Sequence, residues 1–363
     1  MDTKTIVEKI CSNVAEVVTI DDLVRVFETN SSPKGYIGFE PSGLVHIGWL
    51  IWMNKVKDLI DVGVDFYVLE ATWHAFINDK LGGDLDLIRK AAKFTRKIME
   101  YSGIDVSRIK FIDAEELVSD TNYWSILLKT AKKTTLARVK RALTIMGRKA
   151  SEAETDFSKL IYPLMQVTDI FYLDLDIVLG GIDQRKAHML ARDLAEHFNF
   201  KKPVAIHTPI LTSLQGVGEI ESTKQLDIDE IQSEFKMSKS KPETCIFIHD
   251  SPEVIMNKIR KAYCPPRVTL FNPIIEINKY LLFSKPGFKL LIERPVEYGG
   301  SIEITSFSEL EEKYRNGELH PLDLKNATAN ALIEYLKPIR DKLMSDSEAV
   351  ELLNTLAGVK ITR

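Results

Sequence analysis

The stretch GFEPSGLVHIGWL, residues 38–50, joins a strand-like run to a helix-like run through a Pro-Ser-Gly turn at 41–43. The apolar spacing that follows predicts a helix over 44–62, so that His46 and Gly48 fall in its first turn. A helix amino terminus beside the end of a parallel strand offers free N–H groups and the positive end of the helix dipole. The stretch therefore predicts a site for an anion, phosphate above all.

Strand-like and helix-like runs alternate on both sides of this turn. We predict strands at 35–40, 64–71, 108–114, 176–181 and 203–208, and further helices at 85–103, 122–147, 156–172 and 183–198. Later helices are predicted at 250–263 and at 321–344, the second interrupted by Pro338. Such alternation predicts an α/β fold with a doubly wound parallel sheet of Rossmann type, in which ligands lie at the carboxyl ends of the strands.

The length of 363 residues exceeds the usual size of a single core, so we expect two domains. We assign 1–245 to a Rossmann-like catalytic domain, with a helical insertion at about 115–160 and a mobile loop at about 213–242. We assign 246–363 to a mainly α-helical domain. The segment 219–234 within the loop is acidic, and its role is open.

The composition excludes several classes of protein. Hydrophobic residues make up 45% and charged residues 28% of the chain, which is typical of a globular protein. No apolar run is long enough to cross a bilayer, and the first residues mix acids with bases instead of forming a signal peptide. Cys11, Cys245 and Cys264 lie far apart, which indicates neither a disulfide framework nor a metal site. We therefore expect a cytoplasmic protein that does not contact a membrane.

A basic run contrasts with the net charge of −4. Between residues 122 and 151 the sequence has no acid, and its bases are Lys129, Lys132, Lys133, Arg138, Lys140, Arg141, Arg148 and Lys149. A run of this kind is often only the solvated face of a helix. On an acidic chain it also fits a surface that meets a polyanion.

The segment KMSKS, residues 236–240, is small, polar and basic, and it follows the last predicted strand–helix unit. Such a loop can close over a triphosphate and bring ammonium groups to the charge that develops during phosphoryl transfer. Taken alone, it is equally well explained as an exposed basic loop. Its occurrence together with the turn at 41–48 favours the first explanation.

These two segments together resemble the HIGH and KMSKS signatures of the class I aminoacyl-tRNA synthetases. Further stretches resemble the tyrosyl-tRNA synthetases of archaeal and eukaryotic type, in the family's order over residues 24–344: YIGFEPSGLVHIG, IYPLMQVTDI, GGIDQRKAHMLAR, KAYCP and ELHPLDLKNA. The resemblance implies a ligase that forms tyrosyl-adenylate and pyrophosphate from L-tyrosine and ATP with Mg²⁺. It then transfers the tyrosyl group to the 3′ end of tRNA(Tyr). The resemblance also implies a homodimer built around the inserted segment, an anticodon-binding role for 246–363, and no metal site in the protein itself.

The resemblance assigns the site residues as well. It implies that the catalytic residues are His46, Lys236 and Lys239. It assigns tyrosine binding to Tyr36, Glu40, Tyr162, Gln166, Asp169 and Gln184. It assigns ATP binding to His46, Gly48, Gly180, Gly181, Asp183 and Lys239. It assigns tRNA binding to Arg141, Arg185, Lys186, Tyr298, His320 and Asp323.

Residue chemistry supports part of this assignment. Tyr162, Gln166 and Asp169 are spaced i, i+4 and i+7, so one helix face presents all three. Asp169 with Tyr36 matches the family pair that binds the substrate phenol, and phenylalanine would leave both groups unpaired. His74 matches a family histidine near this pocket, and a packed core histidine explains it equally well.

For the remaining assignments a structural explanation stands beside the functional one. Tyr298, before two glycines, offers a stacking face for an anticodon base. His320 and Asp323 would read the edge of an anticodon guanine, and they also fit the start of a helix. We interpret His188 and His197 as structural.

The sequence departs from the family at Trp49, at Thr72 and in the acidic segment 219–234, which is longer than the usual connection to KMSKS. Trp49 stands where many class I enzymes have a second histidine, and we expect it to pack rather than to catalyse. Thr72 replaces an acid that is common in the family, and we assign it no role.

Three other functions stay open at this point. Tryptophanyl-tRNA synthetases share the fold and the signatures, and an indole N–H could also use the acid at position 169. A small nucleotidylyltransferase uses a similar HxGH turn, but it would leave 250–363 and the basic run without a purpose. A non-catalytic RNA-binding relative would not need His46, Lys236 and Lys239.

Overall fold

The computed structural model describes residues 1–146, 156–217 and 235–359. The chain forms two compact units. The first comprises Met1–Leu44, Trp52–Pro209 and Glu351–Arg363, and the second comprises Val45–Ile51 and Ile210–Val350. The acidic segment 219–234 and the basic residues Arg148 and Lys149 lie outside the described residues. The functional domains, with their boundary at about 245, stay a prediction.

The first unit is built on a six-stranded sheet. Its strands are β1 (Glu16–Val18), β2 (Lys34–Phe39), β3 (Asp65–Glu70), β4 (Ile109–Asp113), β5 (Ile177–Gly181) and β6 (Val204–Thr208). The strand order is β1-β6-β5-β2-β3-β4, and every neighbouring pair is parallel except β1 with β6. The predicted doubly wound α/β fold is confirmed, and the antiparallel edge strand β1 is an addition to it.

Ten helices are numbered along the chain as far as the end of the sheet. They are α1 (Thr3–Cys11), α2 (Ile20–Thr29), α3 (Trp49–Asp61), α4 (Thr72–Ile77), α5 (Leu85–Tyr101), α6 (Ala114–Val118), α7 (Thr121–Lys133), α8 (Leu136–Ala142), α9 (Ser158–Tyr172) and α10 (Arg185–Phe198). Asp84 caps α5 by accepting the N–H groups of Asp86 and Leu87, and Gly103 follows its end with φ +87°. The buried core between helices and sheet includes Val167 of α9 and Val178 of β5.

Two predicted helix boundaries in this part of the chain are wrong. Helix α3 begins at Trp49 instead of residue 44, because the preceding residues pair with another segment: the N–H of Ile47 donates to the carbonyl of Ile246 at 2.9 Å. The helix predicted over 122–147 is broken after Lys133. There the hydroxyl of Thr135 accepts the N–H of Arg138 and begins α8, which a 3₁₀ turn over Leu143–Met146 follows.

The second unit is mainly helical, as predicted. Its helices are α11 (Pro252–Lys261), α12 (Pro273–Ile277), α13 (Phe307–Asn316) and α14 (Pro321–Ser345), and α15 (Ser347–Ala357) continues from it into the first unit. Two short strands, β7 (Leu290–Ile292) and β8 (Ile302–Ile304), form an antiparallel pair that the sequence analysis does not predict.

The ends of α11 and α14 follow their sequences closely. Ser251 caps α11, and Pro252 is the first residue of the helix. Helix α14 runs through Pro338 without a break, so the predicted interruption is wrong. Leu336, Ile339 and Leu343 are buried around the proline, and this packing outweighs one missing backbone hydrogen bond. Among the described residues, we find no helix with both the length and the apolar character to span a membrane.

Candidate active site

The strand order marks one point of the sheet as a candidate ligand crevice. The chain runs from β2 outward through β3 and β4, and it returns at β5 on the other side of β2. In open α/β sheets, ligands bind at the carboxyl ends of the strands at such a switch point. Here those ends are Phe39 of β2, which Glu40 follows, and Gly180 and Gly181 of β5.

Asp169, on α9, is a buried carboxylate with a different neighbour at each oxygen. Its side chain is almost fully enclosed. The hydroxyl of Tyr123 donates to Oδ1 at 2.8 Å. Nε2 of His74 lies 3.1 Å from Oδ2, close but without the alignment of a hydrogen bond. A buried carboxylate needs partners of this kind to offset its loss of water.

Three buried phenols share the neighbourhood of this carboxylate: Tyr36 on β2, Tyr123 on α7 and Tyr162 on α9. Burial raises the pKa of each phenol well above its usual value of 10.0. The negative charge of Asp169 raises the pKa of Tyr36 and Tyr123 further. All three hydroxyls are therefore protonated, and Tyr123 and Tyr162 already donate to carboxylates of the protein.

Glu40 is held at the end of β2 by three side chains. Tyr162 donates its hydroxyl to Oε1. Asn78 donates its amide N–H groups to Oε1 at 2.9 Å and Oε2 at 3.0 Å, and Nζ of Lys80 lies 3.5 Å from Oε2. The same amide of Asn78 donates to the carbonyl of Met146 at 3.1 Å. These contacts fix the orientation of both Glu40 and Tyr162.

The three residues predicted to share one helix face lie together on α9. Tyr162, Gln166 and Asp169 are all buried. The ring of His74 stands edge-on to the ring of Tyr162, with 5.2 Å between the centroids, and it also approaches Asp169. Within the described residues, Oε1 of Gln166 is buried and has no hydrogen-bond partner. Gln184 donates its amide to the carbonyl of Ile145 at 3.1 Å. A ligand with a donor group would satisfy Oε1 of Gln166.

Gly180, at the end of β5, has a structural reason in the protein itself. A Cβ added to Gly180 would lie 2.9 Å from Cε1 of His188 and 3.1 Å from Cβ of Gln184. The ring of His188 is buried and stacks on His207, with 5.1 Å between the centroids, in keeping with its predicted structural role. Asp183 lies in the 3₁₀ turn over Ile182–Gln184. The nucleotide role of Gly180, Gly181 and Asp183 stays a prediction.

His46 and Gly48 belong to the second unit, where they precede α3. The N–H of Gly48 donates to Nδ1 of His46 at 3.1 Å, so Nε2 carries the ring proton of the neutral imidazole. Burial, followed by the charges of Lys239 and Lys236, lowers the pKa of His46 from 6.5 to about 3. His46 is therefore a neutral donor through Nε2, and it lies before the helix instead of within its first turn as predicted.

The KMSKS segment lies in the same unit. The N–H of Met237 donates to the carbonyl of Leu211 at 2.9 Å, and Lys236 pairs with Thr212 in an isolated β-bridge. The ammonium of Lys239 lies 3.7 Å from the centroid of the Trp49 ring. The structure thus brings both predicted lysines near His46, whose pKa their charges lower. Trp49 packs, as predicted, but against a cation.

The residues predicted to bind tRNA are spread over both units. Arg141 lies in the last turn of α8 and is exposed, and Lys186 is exposed on α10. Arg185 is 41% exposed, and its Nε donates to Glu16 at 2.6 Å. The basic residue Arg138 forms an ion pair with Asp193, an acid that lies outside the run itself. Part of the run is therefore neutralised by the fold.

In the second unit, Tyr298 is 68% exposed at the end of a 3₁₀ turn, and Gly299 and Gly300 follow with positive φ angles. His320 is the N-cap of α14, where its Nδ1 accepts the N–H of Leu322 at 3.2 Å. Asp323 lies in the first turn of that helix. The structural explanation for this motif is confirmed, while its role toward RNA stays a prediction.

Tyr123 and Asn78 are two members of the first unit's site that were not predicted from the sequence, and Lys80, beside Glu40, is a third. Tyr123 reaches Asp169 from α7, and Asn78 reaches Glu40 from the end of α4. Neither stands at a recognisable spacing from its partner, so only knowledge of helix packing could have identified them. In the described part of the chain, no three His, Cys, Asp or Glu side chains form a group that could hold a metal ion.

Comparison with known proteins supplies the family. Residues 28–337 match the family described as tRNA synthetases of class I for tryptophan and tyrosine. The chain is similar to the tyrosine–tRNA ligase of Aeropyrum pernix, with 58% identity over all of this chain and 99% of the relative.

Two solved structures are also similar. The crystal structure of the tyrosyl-tRNA synthetase from Aeropyrum pernix gives a TM-score of 0.87 at 53% identity, over 99% of this chain and 100% of that one. The tyrosyl-tRNA synthetase from Pyrococcus horikoshii, complexed with L-tyrosine, gives a TM-score of 0.91 at 40% identity, over 98% of this chain and 100% of that one.

Proposed function

The chain belongs to the class I tRNA synthetases, in the branch of the tyrosine–tRNA ligases, and from this premise we propose how its residues share the reaction. The enzyme activates L-tyrosine with ATP to tyrosyl-adenylate and pyrophosphate. It then transfers the tyrosyl group to the 3′ end of tRNA(Tyr).

Asp169 and Tyr36 bind the hydroxyl of the substrate. The substrate phenol donates a hydrogen bond to the carboxylate of Asp169 and accepts a hydrogen bond from the protonated hydroxyl of Tyr36. Phenylalanine would leave these groups unpaired in a buried site, at about 1–3 kcal/mol for each unsatisfied group. The buried carboxylate of Asp169, held by Tyr123 with His74 beside it, is the observation that carries this proposal.

The other end of the amino acid is bound by Tyr162, Gln166, Gln184 and Glu40. The unpartnered Oε1 of Gln166 is an acceptor for the ammonium group of tyrosine. Glu40 adds negative charge nearby and holds the hydroxyl of Tyr162 in place. The amino acid is thus oriented at both ends, which brings its carboxylate to a defined position.

His46, Lys236 and Lys239 act on ATP. The tyrosine carboxylate attacks the α-phosphate, and pyrophosphate leaves. This step needs no proton transfer, so positioning and charge stabilisation are what the protein contributes. The Nε2–H of His46 donates to a phosphate oxygen, and the two lysines stabilise the departing pyrophosphate. Mg²⁺ enters with ATP as part of the substrate. We also assign nucleotide binding to Gly48, Gly180, Gly181 and Asp183.

We assign tRNA binding to exposed and half-buried residues of both units. Arg141, Arg185 and Lys186 contact the acceptor end through its phosphates, which supply affinity without reading sequence. Tyr298 stacks on an anticodon base, supported by its 68% exposure. His320 and Asp323 read the edge of the anticodon guanine. This division matches the proposed catalytic domain over 1–245 and anticodon-binding domain over 246–363.

We propose that the enzyme works in the cytoplasm as a homodimer. Helix α7 exposes Trp124 and Leu128, which are 45% and 66% accessible and lie one turn apart. Apolar side chains that share an exposed face support a subunit interface. Charging of tRNA serves translation, which supports the cytoplasmic assignment.

Substitution of Asp169 tests the function. We expect Asp169→Ala to lower the kcat/KM for tyrosine roughly 10- to 100-fold in ATP–pyrophosphate exchange, because the substrate hydroxyl loses a charged acceptor. Phenylalanine and tryptophan are assayed beside tyrosine. The matched control is Glu196→Ala. Glu196 is an exposed acid, and among the described residues its side chain forms an ion pair only with the surface residue Lys202.

The amino-acid specificity of the wild type and of the Asp169→Ala variant decides the outcome. The wild-type enzyme should exchange with tyrosine alone, and exchange with tryptophan alone would overturn the assignment of the substrate. An Asp169→Ala variant that keeps full activity and rejects phenylalanine would overturn the phenol pocket.

A further inference from the structure

The ammonium of Lys239, in the KMSKS segment, lies over the face of a tryptophan. The residue is only 7% exposed, and its Nζ stands 3.7 Å from the centroid of the Trp49 ring. A buried ammonium is unfavourable unless other groups replace its water. Indole is the aromatic ring that attracts a cation most strongly, and the attraction increases when the pair is shielded from water. The contact therefore stabilises Lys239 at a defined place.

The backbone on both sides of Lys239 is tied down. The N–H of Met237 donates to the carbonyl of Leu211 at 2.9 Å, and the N–H of Lys241 donates to the carbonyl of Ser238 at 3.2 Å. The long side chain of Lys239 is the adjustable part of this segment. The groups that its ammonium contacts, the Trp49 ring among them, determine where the charge lies.

The same charge reaches the signature histidine. After burial, the charge of Lys239 is the largest cause of the lowered pKa of His46, and the charge of Lys236 is the next. Trp49 lies three residues after His46, at the start of α3. The indole, the ammonium and the imidazole thus occupy one neighbourhood within the second unit.

Apolar packing alone does not account for Trp49. Three residues later in α3, Trp52 stacks on the ring of Phe39 with 6.0 Å between the centroids, which is ordinary contact of two apolar rings. Trp49 presents its face to a cation instead. A leucine or methionine would keep apolar contact, with a smaller volume, but would not attract the cation in this way.

We propose that Trp49 is a positioning residue for Lys239. Its indole face holds the ammonium in the nucleotide region before ATP binds, so that the charge is in place when pyrophosphate begins to leave. The inference rests on the proposed role of Lys239 in tyrosine activation. It predicts that Trp49 affects adenylate formation through Lys239 and leaves tyrosine binding unchanged.

A double-mutant cycle tests this coupling. The variants are Trp49→Leu, Trp49→Phe, Lys239→Ala and the pair Trp49→Leu with Lys239→Ala. The single-turnover rate of tyrosyl-adenylate formation, the KM for ATP, the Kd for tyrosine and the Tm are measured for each protein. We expect Trp49→Leu to slow adenylate formation about 3- to 30-fold, which is the range of a cation–π contact. Trp49→Phe, which keeps an aromatic face, should lose less.

The decisive comparison is the effect of Trp49→Leu in the absence of Lys239. We expect this substitution to change the rate less than about 2-fold in the Lys239→Ala background. An equal loss in both backgrounds would show that Trp49 acts independently of Lys239 and would overturn the inference. So would a Trp49→Phe variant as slow as Trp49→Leu at an unchanged Tm.

The experiment separates this inference from the function on which it rests. If Lys239→Ala alone leaves adenylate formation unchanged, the proposed role of Lys239 is wrong and the inference about Trp49 fails with it. If Lys239→Ala slows the reaction and the two substitutions are independent, only the inference about Trp49 is wrong.

Discussion

The space beside Gly48 is filled by a side chain of the protein itself. A Cβ at this position would lie 2.8 Å from Cε1 and 3.0 Å from Nδ1 of His46. From the sequence, Gly48 is predicted to bind ATP. The imidazole instead folds back toward the chain and accepts the N–H of Gly48. The motif predicts the residues but not this contact, because a spacing of two does not reveal the backbone conformation between them.

We expect Gly48→Ala to displace the ring of His46, since Cβ and the ring cannot both remain where they are. Loss of one aligned donor to phosphate lowers the rate of adenylate formation by up to about 100-fold. ATP–pyrophosphate exchange with varied ATP and varied tyrosine measures this effect, and the tyrosine dependence should be preserved. Gly358→Ala, whose Cβ would come no closer than 3.5 Å to its neighbours, is the control. An unchanged ATP dependence would contradict the role of the ring.

The protonation of His46 gives a second test. Burial, with the charges of Lys239 and Lys236, lowers its pKa from 6.5 to about 3. For a histidine with a lowered pKa, the neutral form is favoured in the fold. The contribution of the neutral ring to the free energy of unfolding is fully present above pH 6.5 and is lost as the pH falls toward 3. We therefore expect the NMR signals of the His46 ring, assigned with a His46→Asn variant, to stay constant between pH 5 and 8. A titration midpoint between pH 6 and 7 would contradict the lowered pKa of His46.

At the scale of the elements, the parallel strands were predictable and the short ones were not. The core strands β5 and β6 each begin with three consecutive buried apolar residues, which stand out in a sequence. Strands β1, β7 and β8 have three residues each, too few to show a pattern. Their pairing depends on segments that are distant in the sequence.

The residues of the site were likewise predictable within one element and not between elements. The face of α9 with Tyr162 and Asp169 follows from helical spacing, because both residues lie on one element. Tyr123 donates to Asp169 from α7, and nothing in the local sequence connects positions 123 and 169. Contacts within an element can be read from the sequence, whereas contacts between elements require the packing of the fold.

Glu276, on helix α12, holds the residue that pairs with the start of the KMSKS segment. Its carboxylate accepts the N–H of Thr212 at 2.7 Å and the hydroxyl of Thr212 at 2.9 Å. Thr212 in turn pairs with Lys236. Burial raises the pKa of Glu276 from 4.5 to about 7, although the bonds from Thr212 act in the opposite direction. The fold therefore favours the protonated acid, and the free energy of unfolding falls as the pH rises from about 4.5 to about 7.

We expect Glu276→Gln to remove this part of the pH dependence, because glutamine keeps an acceptor and carries no charge. The free energy of unfolding of the variant should exceed that of the wild type at pH 8 by on the order of 2 kcal/mol, and the difference should shrink toward pH 5. Urea denaturation at both pH values measures it. Glu312→Gln, at an exposed position of α13, is the control. A constant difference between the two pH values would show that Glu276 does not titrate in this range.

At the scale of the whole molecule, the two signature segments share one compact unit and the phenol pocket belongs to the other. His46 and Lys239 lie in the second unit, and Tyr36 and Asp169 lie in the first. The sequence analysis, which follows the order of the chain, groups all four into one catalytic domain. Contacts group them differently, because Val45–Ile51 pairs with residues that come after the KMSKS segment.

The proposed homodimer is a property of the whole molecule, and Leu128 is the residue that tests it. A carboxylate at this 66% exposed position of α7 would be harmless on a free surface but would be buried without a partner in an interface. We expect Leu128→Glu to raise the dissociation constant of the dimer about 100-fold or more. Sedimentation equilibrium at micromolar concentration should give twice the chain mass of 41.2 kDa for the wild type and a shift toward the single chain mass for the variant. Met344→Glu, at a 50% exposed position of α14, should leave the assembly unchanged. A wild type that sediments as a single chain would contradict the dimer itself, whereas a Leu128→Glu variant that remains fully dimeric would place the interface away from this face of α7.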